Sequence, residues 1–390
     1  MIRLLELRSA WGAGGGPEKT ILLSAARHDR QRVRPVVAYL KDPRDRGFET
    51  GVRARAREAG TRILEVPDRG RFDPCCVRRL RRLARRADVI HTHDYKTEVY
   101  GLLLGRGRGR AKLIATAHGW TRDASKTRLY EAIDLLALRF FDRVIAVSEA
   151  TRRDLVDGGI HEERIVLLRN GIDETVWRPA REDMRAELGI DRGTPVVGTV
   201  TRLSHEKGVD LLLEAAARVK DAVFLVLGEG TERGALADRA RALGVAERVR
   251  FLGHVSDVRR ALATFDVFVL PSRVENAPNA LLEAMACEKA CVAFDVGGMR
   301  ETLGDAGILV AAADTVGLAE RITSLIGRRD ARWAFGVRAR ARIEREFSFS
   351  RRLARIEAIY EEVCEEQRPS WATPPTPTLP PLRGGKESAA

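Results

Sequence analysis

The sequence predicts an α/β protein built from two doubly wound parallel-sheet domains. Short apolar, β-branched runs alternate with helical patterns along most of the chain, as parallel βαβ units require. The alternation stops at a polar, proline-containing stretch, Trp177–Pro195, and then starts again. No fixed-period self-similarity relates the two series, so they read as two domains of similar size and not as repeats.

In the first series the expected strands are Ile2–Arg8, Val33–Tyr39, Arg62–Val66, Val89–His91, Lys112–Thr116, Arg143–Ala146 and Ile165–Leu168. The second series is PVVGTV (195–200), AVFLVLG (222–228), VRFLG (249–253), VFVLPS (267–272), ACVAFDV (290–296) and GILV (307–310). Ser350–Glu366 reads as a last helix. The expected division is 1–178, 190–345 and a helical segment 346–367. The proline- and glycine-rich tail 368–390 is expected to be disordered. Open parallel sheets bind ligands beyond the C-terminal ends of their strands. Two such sheets facing one another would enclose a cleft lined by residues that directly follow strands.

With 390 residues, 44% hydrophobic and 32% charged, the chain can bury a substantial core and is not compositionally disordered. No apolar stretch approaches the roughly 18 residues needed to span a bilayer. The opening MIRLLELRSAW is broken by charges and does not read as a signal peptide. Cys75, Cys76, Cys287, Cys291 and Cys364 are too few and too irregular for a disulfide framework or a zinc site. A reducing, cytoplasmic setting is expected.

The net charge of +13 is unevenly placed. Residues 1–180 hold 37 Lys and Arg against 24 Asp and Glu, and the remainder holds 31 of each. The run RRLRRLARR (78–86) sets Leu80, Leu83 and Ala84 at helical spacing, with arginines on the other faces. Such a helix is either simply solvated or attracted to an anionic partner: lipid headgroups, a lipid-linked phosphate or nucleic acid. Only 6% of the chain is aromatic, which argues against nucleic acid.

The first strand is followed by SAWGAGGGPEKT. Neither a dinucleotide fingerprint nor a Walker loop is completed there, because Pro17 and Glu18 stand where glycines are needed. Glycines between a strand and a helix still let backbone N–H groups approach an anion or a sugar. His118, in IATAHGW, directly follows another strand, where it either donates a hydrogen bond to a substrate oxygen or serves the structure alone. His91 and His93, in IHTHDY, end a further strand, but no additional ligand cluster supports a metal. The chain also lacks the Asp-x-Asp that holds Mg²⁺ or Mn²⁺ on a diphosphate, so no metal site is expected.

Without a metal, side chains must neutralise any diphosphate. GTVTRLSHEKGVDLLLEAA (198–216) can do so, with Arg202 and Lys207 after a strand and Gly208 before an apolar-periodic helix. Arg offers a bidentate fork and Lys a point charge. The competing reading pairs these cations with Glu206 and other surface carboxylates. Further on, VENAPNALLEAMA (274–286) sets Glu275 ahead of a helix and Glu283 within it. Leu281, Ala284 and Met285 share one face, so Glu283 is expected to point away from the core. Eight residues at helical rise span about 12 Å. That is more than the roughly 5–9.5 Å between glycosidase carboxylates. It better suits two separate hydroxyl-bearing groups of one extended ligand.

Together these motifs resemble the retaining glycosyltransferase family 4. The likeness lies in the Glu275/Glu283 element, TRLSHEKG, RNGID (169–173), LGEG (227–230) and FLGHVSDV (251–258), with weaker support from the glycine loop and the AHG histidine. It covers roughly residues 1–366. It implies a GT-B architecture: two Rossmann-like domains, acceptor mainly on the first and nucleotide-sugar donor mainly on the second, with the last helix crossing back to the first. By this resemblance Arg202 and Lys207 would bind the donor diphosphate, Glu283 the ribose hydroxyls, and Glu275 the donor sugar. Backbone at Asn279, Ala280 and Leu281 would touch sugar or phosphate, and His254–Val255 would lie near the base. Gly15 and Gly16 would line the cleft, and His118 would contact the donor sugar near the reacting carbon.

The implied activity is a metal-independent transfer that retains anomeric configuration and uses no cofactor. The implied acceptor is a saccharide or lipid-linked molecule in polysaccharide or glycolipid synthesis, and the basic first domain would rest on an anionic membrane surface. Asn276 stands where the family usually has glycine, and Glu288, Lys289 and Ala290 replace the common glycine-containing turn. Both departures bear on donor choice. The rival readings are a nucleotide-sugar epimerase on the same fold and a non-catalytic nucleotide-sugar-binding scaffold.

Overall fold

A computed structural model describes residues 1–12, 14–105, 111–120 and 125–366, and the side chains of all but 125–129 among them. The tail expected to be disordered lies outside these residues. Among the described residues, thirteen strands form two all-parallel sheets. The first contains β1 (Ile2–Ser9), β2 (Val33–Lys41), β3 (Ile63–Pro67), β4 (Val89–Thr92), β5 (Lys112–Ala117), β6 (Arg143–Ala146) and β7 (Ile165–Leu167), in the order 3-2-1-4-5-6-7. The second contains β8 (Val196–Val200), β9 (Val223–Leu227), β10 (Val249–Gly253), β11 (Val267–Leu270), β12 (Ala290–Phe294) and β13 (Ile308–Val310), in the order 10-9-8-11-12-13. Each expected strand is present, with ends shifted by one or two residues.

Both sheets are doubly wound. The strand order reverses between β1 and β4 in the first and between β8 and β11 in the second. Ligand crevices form at such switch points, where neighbouring loops leave in opposite directions. The central strands are fully apolar: Val267–Leu270 and Ala290–Phe294 are buried throughout, as strands covered on both faces must be. Between the sheets, Ile172, Trp177, Met184, Leu188 and Ile190 pack against the second core.

The last helix, Phe349–Glu365, leaves the second half of the molecule and lies on one face of the first sheet. Ile356, Ile359, Tyr360 and Val363 cover Ile2, Leu4, Val33, Val89, Ile114, Ile145 and Leu168. Its polar side is anchored as well. Glu357 accepts from Arg32 at 2.9 Å and lies 2.9 Å from His28 Nδ1. Glu361 accepts from Arg32 Nη2 at 2.7 Å.

The arginine-rich helix is Pro74–Ala84, capped at its start by Asp73. Leu80 and Ala84 are buried, while Arg78, Arg79, Arg81, Arg82, Arg85 and Arg86 are exposed. None of these six has a carboxylate partner among the described residues. No helix among those residues is long and apolar enough to cross a membrane.

Candidate active site between the two switch points

The half of the site expected to meet a diphosphate follows β8. The chain turns at Arg202, makes one 3₁₀ turn over His205–Lys207 and enters the helix Val209–Arg218. Gly208 has φ +63°, and a Cβ there would lie 2.1 Å from the Pro271 carbonyl oxygen. Only glycine lets the loop after β8 approach the loop after β11 this closely. That approach brings Lys207 Nζ within 2.6 Å of Glu275 Oε2, on which Ser272 Oγ also donates at 3.3 Å. Arg202 Nη2 donates to Glu206 Oε1 at 2.6 Å, and Arg202 remains 62% exposed. Both readings of these cations therefore meet here: they sit at the switch point, and they are held by carboxylates.

The helix Asn279–Ala286 starts directly after Pro278. Leu281 is fully buried and Ala280 packs against the second core, so any ligand contact from them is through backbone. Glu283 was expected to face away from the core, yet it is 1% exposed. The reason is the first domain, which covers that face. Lys19, in the helix Gly16–Arg27, reaches across and pairs with Glu283 while its ammonium lies 5.5 Å over the Trp177 ring. Asn279 Nδ2 donates to the Gly16 carbonyl at 3.0 Å, and Asn170 Nδ2 donates to Asn279 Oδ1 at 3.0 Å. Val255 follows β10 and packs against the second core beside exposed His254.

The glycine loop is engaged internally. The Gly15 N–H donates to the Glu18 carboxylate, which also accepts from Arg8 Nε at 2.9 Å. The loop's free backbone donor at Gly15, expected to meet an anion, is thus already used. What the loop provides is the Gly16 backbone against Asn279 at the cleft, with Gly15 just before it.

His118 directly follows β5 and is partly exposed. Gly119 has φ +86°, and a Cβ there would lie 2.1 Å from Asn276 Nδ2. The His118–Gly119 loop of the first domain therefore seats against Asn276 of the second, next to Glu275. Behind His118 lies a buried polar cluster. His118 Nε2 is 3.4 Å from His93 Nδ1, and their rings stack at 5.6 Å. His91 Nδ1 is 2.8 Å from Tyr360 Oη, and its Nε2 is 2.8 Å from Thr116 Oγ1.

Burial pushes the His91 imidazole down to about 3, and it pushes His93 and His118 well below the usual range, so all three are neutral at pH 7. Glu6, His91 and His93 are the sort of trio that can bind a metal, with one ligand atom of each within 4.8 Å of the others. Both His91 nitrogens are engaged by hydroxyls, of Tyr360 and Thr116.

The sequence pointed to Arg202, Lys207, Glu275, Glu283 and His118 because each lies in a short local motif. It missed Lys19, which appeared only as part of an incomplete Walker loop. It also missed the Gly297–Gly298 pair after β12. A Cβ at Gly297 would lie 1.7 Å from the Glu275 carbonyl oxygen, so this glycine lets Glu275's loop settle. A glycine pair just past a strand end was the available signal.

This constellation on two doubly wound sheets defines a glycosyltransferase of GT-B type. The chain belongs to the family-4 glycosyltransferases: residues 14–176 match the model "Glycosyltransferase Family 4" and residues 194–328 match "Glycosyl transferases group 1". It is 34% identical over 311 residues to an alpha-maltose-1-phosphate synthase of Mycolicibacterium smegmatis, covering 72% of this chain and 80% of that one. It is 30% identical over 298 residues to the lipopolysaccharide core biosynthesis mannosyltransferase LpcC of Rhizobium leguminosarum bv. viciae, covering 73% and 81%. In fold it is similar to Anabaena HepE in complex with UDP and glucose, with TM-score 0.82, 22% identity, and coverage of 93% of this chain and all of that one.

Proposed function

We propose that the protein is a retaining, metal-independent glycosyltransferase that moves a sugar from a nucleotide-diphosphate sugar to a saccharide or lipid-linked acceptor, in polysaccharide or glycolipid synthesis. The observation that carries this reading is the meeting of Lys207–Glu275 with the His118–Gly119 loop across the cleft. One side offers cations for a diphosphate, and the other offers a neutral hydrogen-bonding group for a sugar. The binding of UDP with glucose by a protein of the same fold supports the donor class.

In this reading Arg202 and Lys207 exchange their carboxylate partners for the donor's phosphate oxygens. Glu283 exchanges Lys19 for the ribose hydroxyls. Glu275 and His118 hold the sugar from opposite sides of the cleft. The bond from the anomeric carbon to the phosphate oxygen breaks while the acceptor oxygen adds on the same face. The acceptor proton passes to the departing phosphate, and the nucleoside diphosphate leaves. Two fixed cations supply the charge stabilisation that a metal supplies in other transferases. The exposed arginines of Pro74–Ala84 favour an anionic membrane surface under the first domain.

The test is nucleotide release from a panel of UDP- and GDP-sugars in the presence of a chelator. Release with acceptor, and a product of unchanged anomeric configuration, is expected, and Lys207→Ala and Glu275→Ala should each lower it by about 10²-fold or more. Undiminished turnover in both variants, or strict dependence on added metal, overturns the proposal.

A further inference from the structure

Alternation along the strands places Leu4, Glu6 and Arg8 on the same face as Val89, His91 and His93, and as Ile114, Thr116 and His118. Glu6 is paired in register with His91 across the β1–β4 switch point. The first residues of each set are apolar and lie under the last helix, whereas the later ones are polar and run up to the cleft. Glu6, His91 and His93 are at most 5% exposed, and His118 at the cleft end is partly exposed. Two buried polar atoms in this cluster, Glu6 Oε2 and His93 Nε2, have no hydrogen-bond partner among the described residues. One oxygen of Glu6 lies within 4.8 Å of a ring nitrogen of His93 and of His91. Two hydrogen bonds through a water cover about 4.5 Å, so a single water can bridge that span. His91 is already satisfied at both nitrogens, so His93 is the free partner.

We propose that Glu6 is a positioning residue: it sets the direction of a hydrogen-bond chain through His93 that makes His118 a donor toward the cleft. The proposal rests on the reading of His118 as the group beside the reacting sugar. A neutral imidazole has one donor and one acceptor nitrogen, so the tautomer of each ring is set by the hydrogen bond made at its other end. An ionised Glu6 accepts, through that water, from His93 Nε2–H. His93 Nδ1 then accepts from His118 Nε2–H, and His118 shows the cleft a bare lone pair. A protonated Glu6 reverses every link. Its O–H donates to the water, which donates to His93 Nε2; His93 Nδ1–H donates to His118 Nε2, and His118 Nδ1–H points outward.

The surroundings select the second arrangement. Glu6 is faced by Arg352 and Tyr360 of the last helix, His91 and His93 of β4, and Tyr39 of β2. Burial pushes the Glu6 carboxyl up to about 8 despite Arg352. His93 and His118 stay neutral through burial first, and then through the basic groups around them, His91, Arg8 and Arg352.

Two variants and one spectrum test this. Glu6→Gln keeps an N–H donor at every pH, whereas Glu6→Leu removes it. Wild-type kcat should fall as pH rises through about 8. Glu6→Gln should keep activity within about threefold and lose that fall, and Glu6→Leu should lower kcat about tenfold without moving the donor KM. ¹⁵N spectra of the ring nitrogens should show the His118 proton on Nδ1 in wild type and in Glu6→Gln. A proton on Nε2 in wild type, or an unchanged alkaline fall in Glu6→Gln, overturns the chain. Full activity in His118→Ala overturns the role of His118 instead, and the ring tautomer still decides the chain by itself.

Discussion

The two switch points solve opposite problems. At β8/β11 the site is open, and its functional groups are ions held in pairs: Arg202 with Glu206 and Lys207 with Glu275. At β1/β4 it is closed, and its groups are held uncharged by burial. An anion needs charge that water has not already screened away, yet charge that a ligand can still displace. A sugar hydroxyl needs a fixed donor and no competing ion. In the proposed function, partial exposure serves the first need and desolvation the second.

The sharpest way to break the contrast is Lys207→Ala. A loss of about 10²–10³-fold in kcat/KM is expected when a fixed charge on the leaving group is removed. A loss under tenfold would show that the ionic end is dispensable. Stability against pH comes next. Glu6 has its folded carboxyl raised from 4.5 to about 8, so folding favours the protonated form. The wild type therefore loses stability as pH rises from about 4.5 to about 8, and Glu6→Gln does not. Urea unfolding should show the variant gaining on wild type across that window, by on the order of a few kcal/mol, with no gap at pH 4.

Raising salt from 0.05 to 0.5 M should increase the donor KM several-fold, roughly as screening shortens the Debye length, and leave kcat nearly constant. A kcat that falls in step would mean that the buried end is ionic too. The smallest effect is on stability in Arg202→Ala. Its pair with Glu206 is exposed, so unfolding free energy should change by less than about 1 kcal/mol while the donor KM rises.

What was legible in the sequence follows this division. Every strand could be read, because apolar β-branched runs bounded by turns are a local signal. The ionic end could be read too: Arg202, Lys207 and Gly208 lie within seven residues, and Glu275 and Glu283 within nine. The neutral end could be read only in part: His91, His93 and His118 stand out after strands, but Glu6 does not. Glu6 and His91 are 85 residues apart and meet only through strand register. Lys19 and Glu283 meet only because two domains close, and that closure also turned an expected solvent-facing glutamate into a buried one. Gly119 against Asn276 is of the same kind. Local pattern reports which atoms a loop offers, and it is silent on what the other domain brings to them.

The placement of the last helix bears on how the protein is made. Ile2, Leu4, Val33, Val89, Ile114 and Ile145 are all synthesised early, but Ile356, Ile359, Tyr360 and Val363, which cover them, come last. At about 5–20 residues per second, the ribosome leaves that apolar face bare for roughly 10–40 s after Leu168 has been added. The first half of the chain cannot be completed before the second, so a nascent chain stopped short of the helix is a client for chaperones.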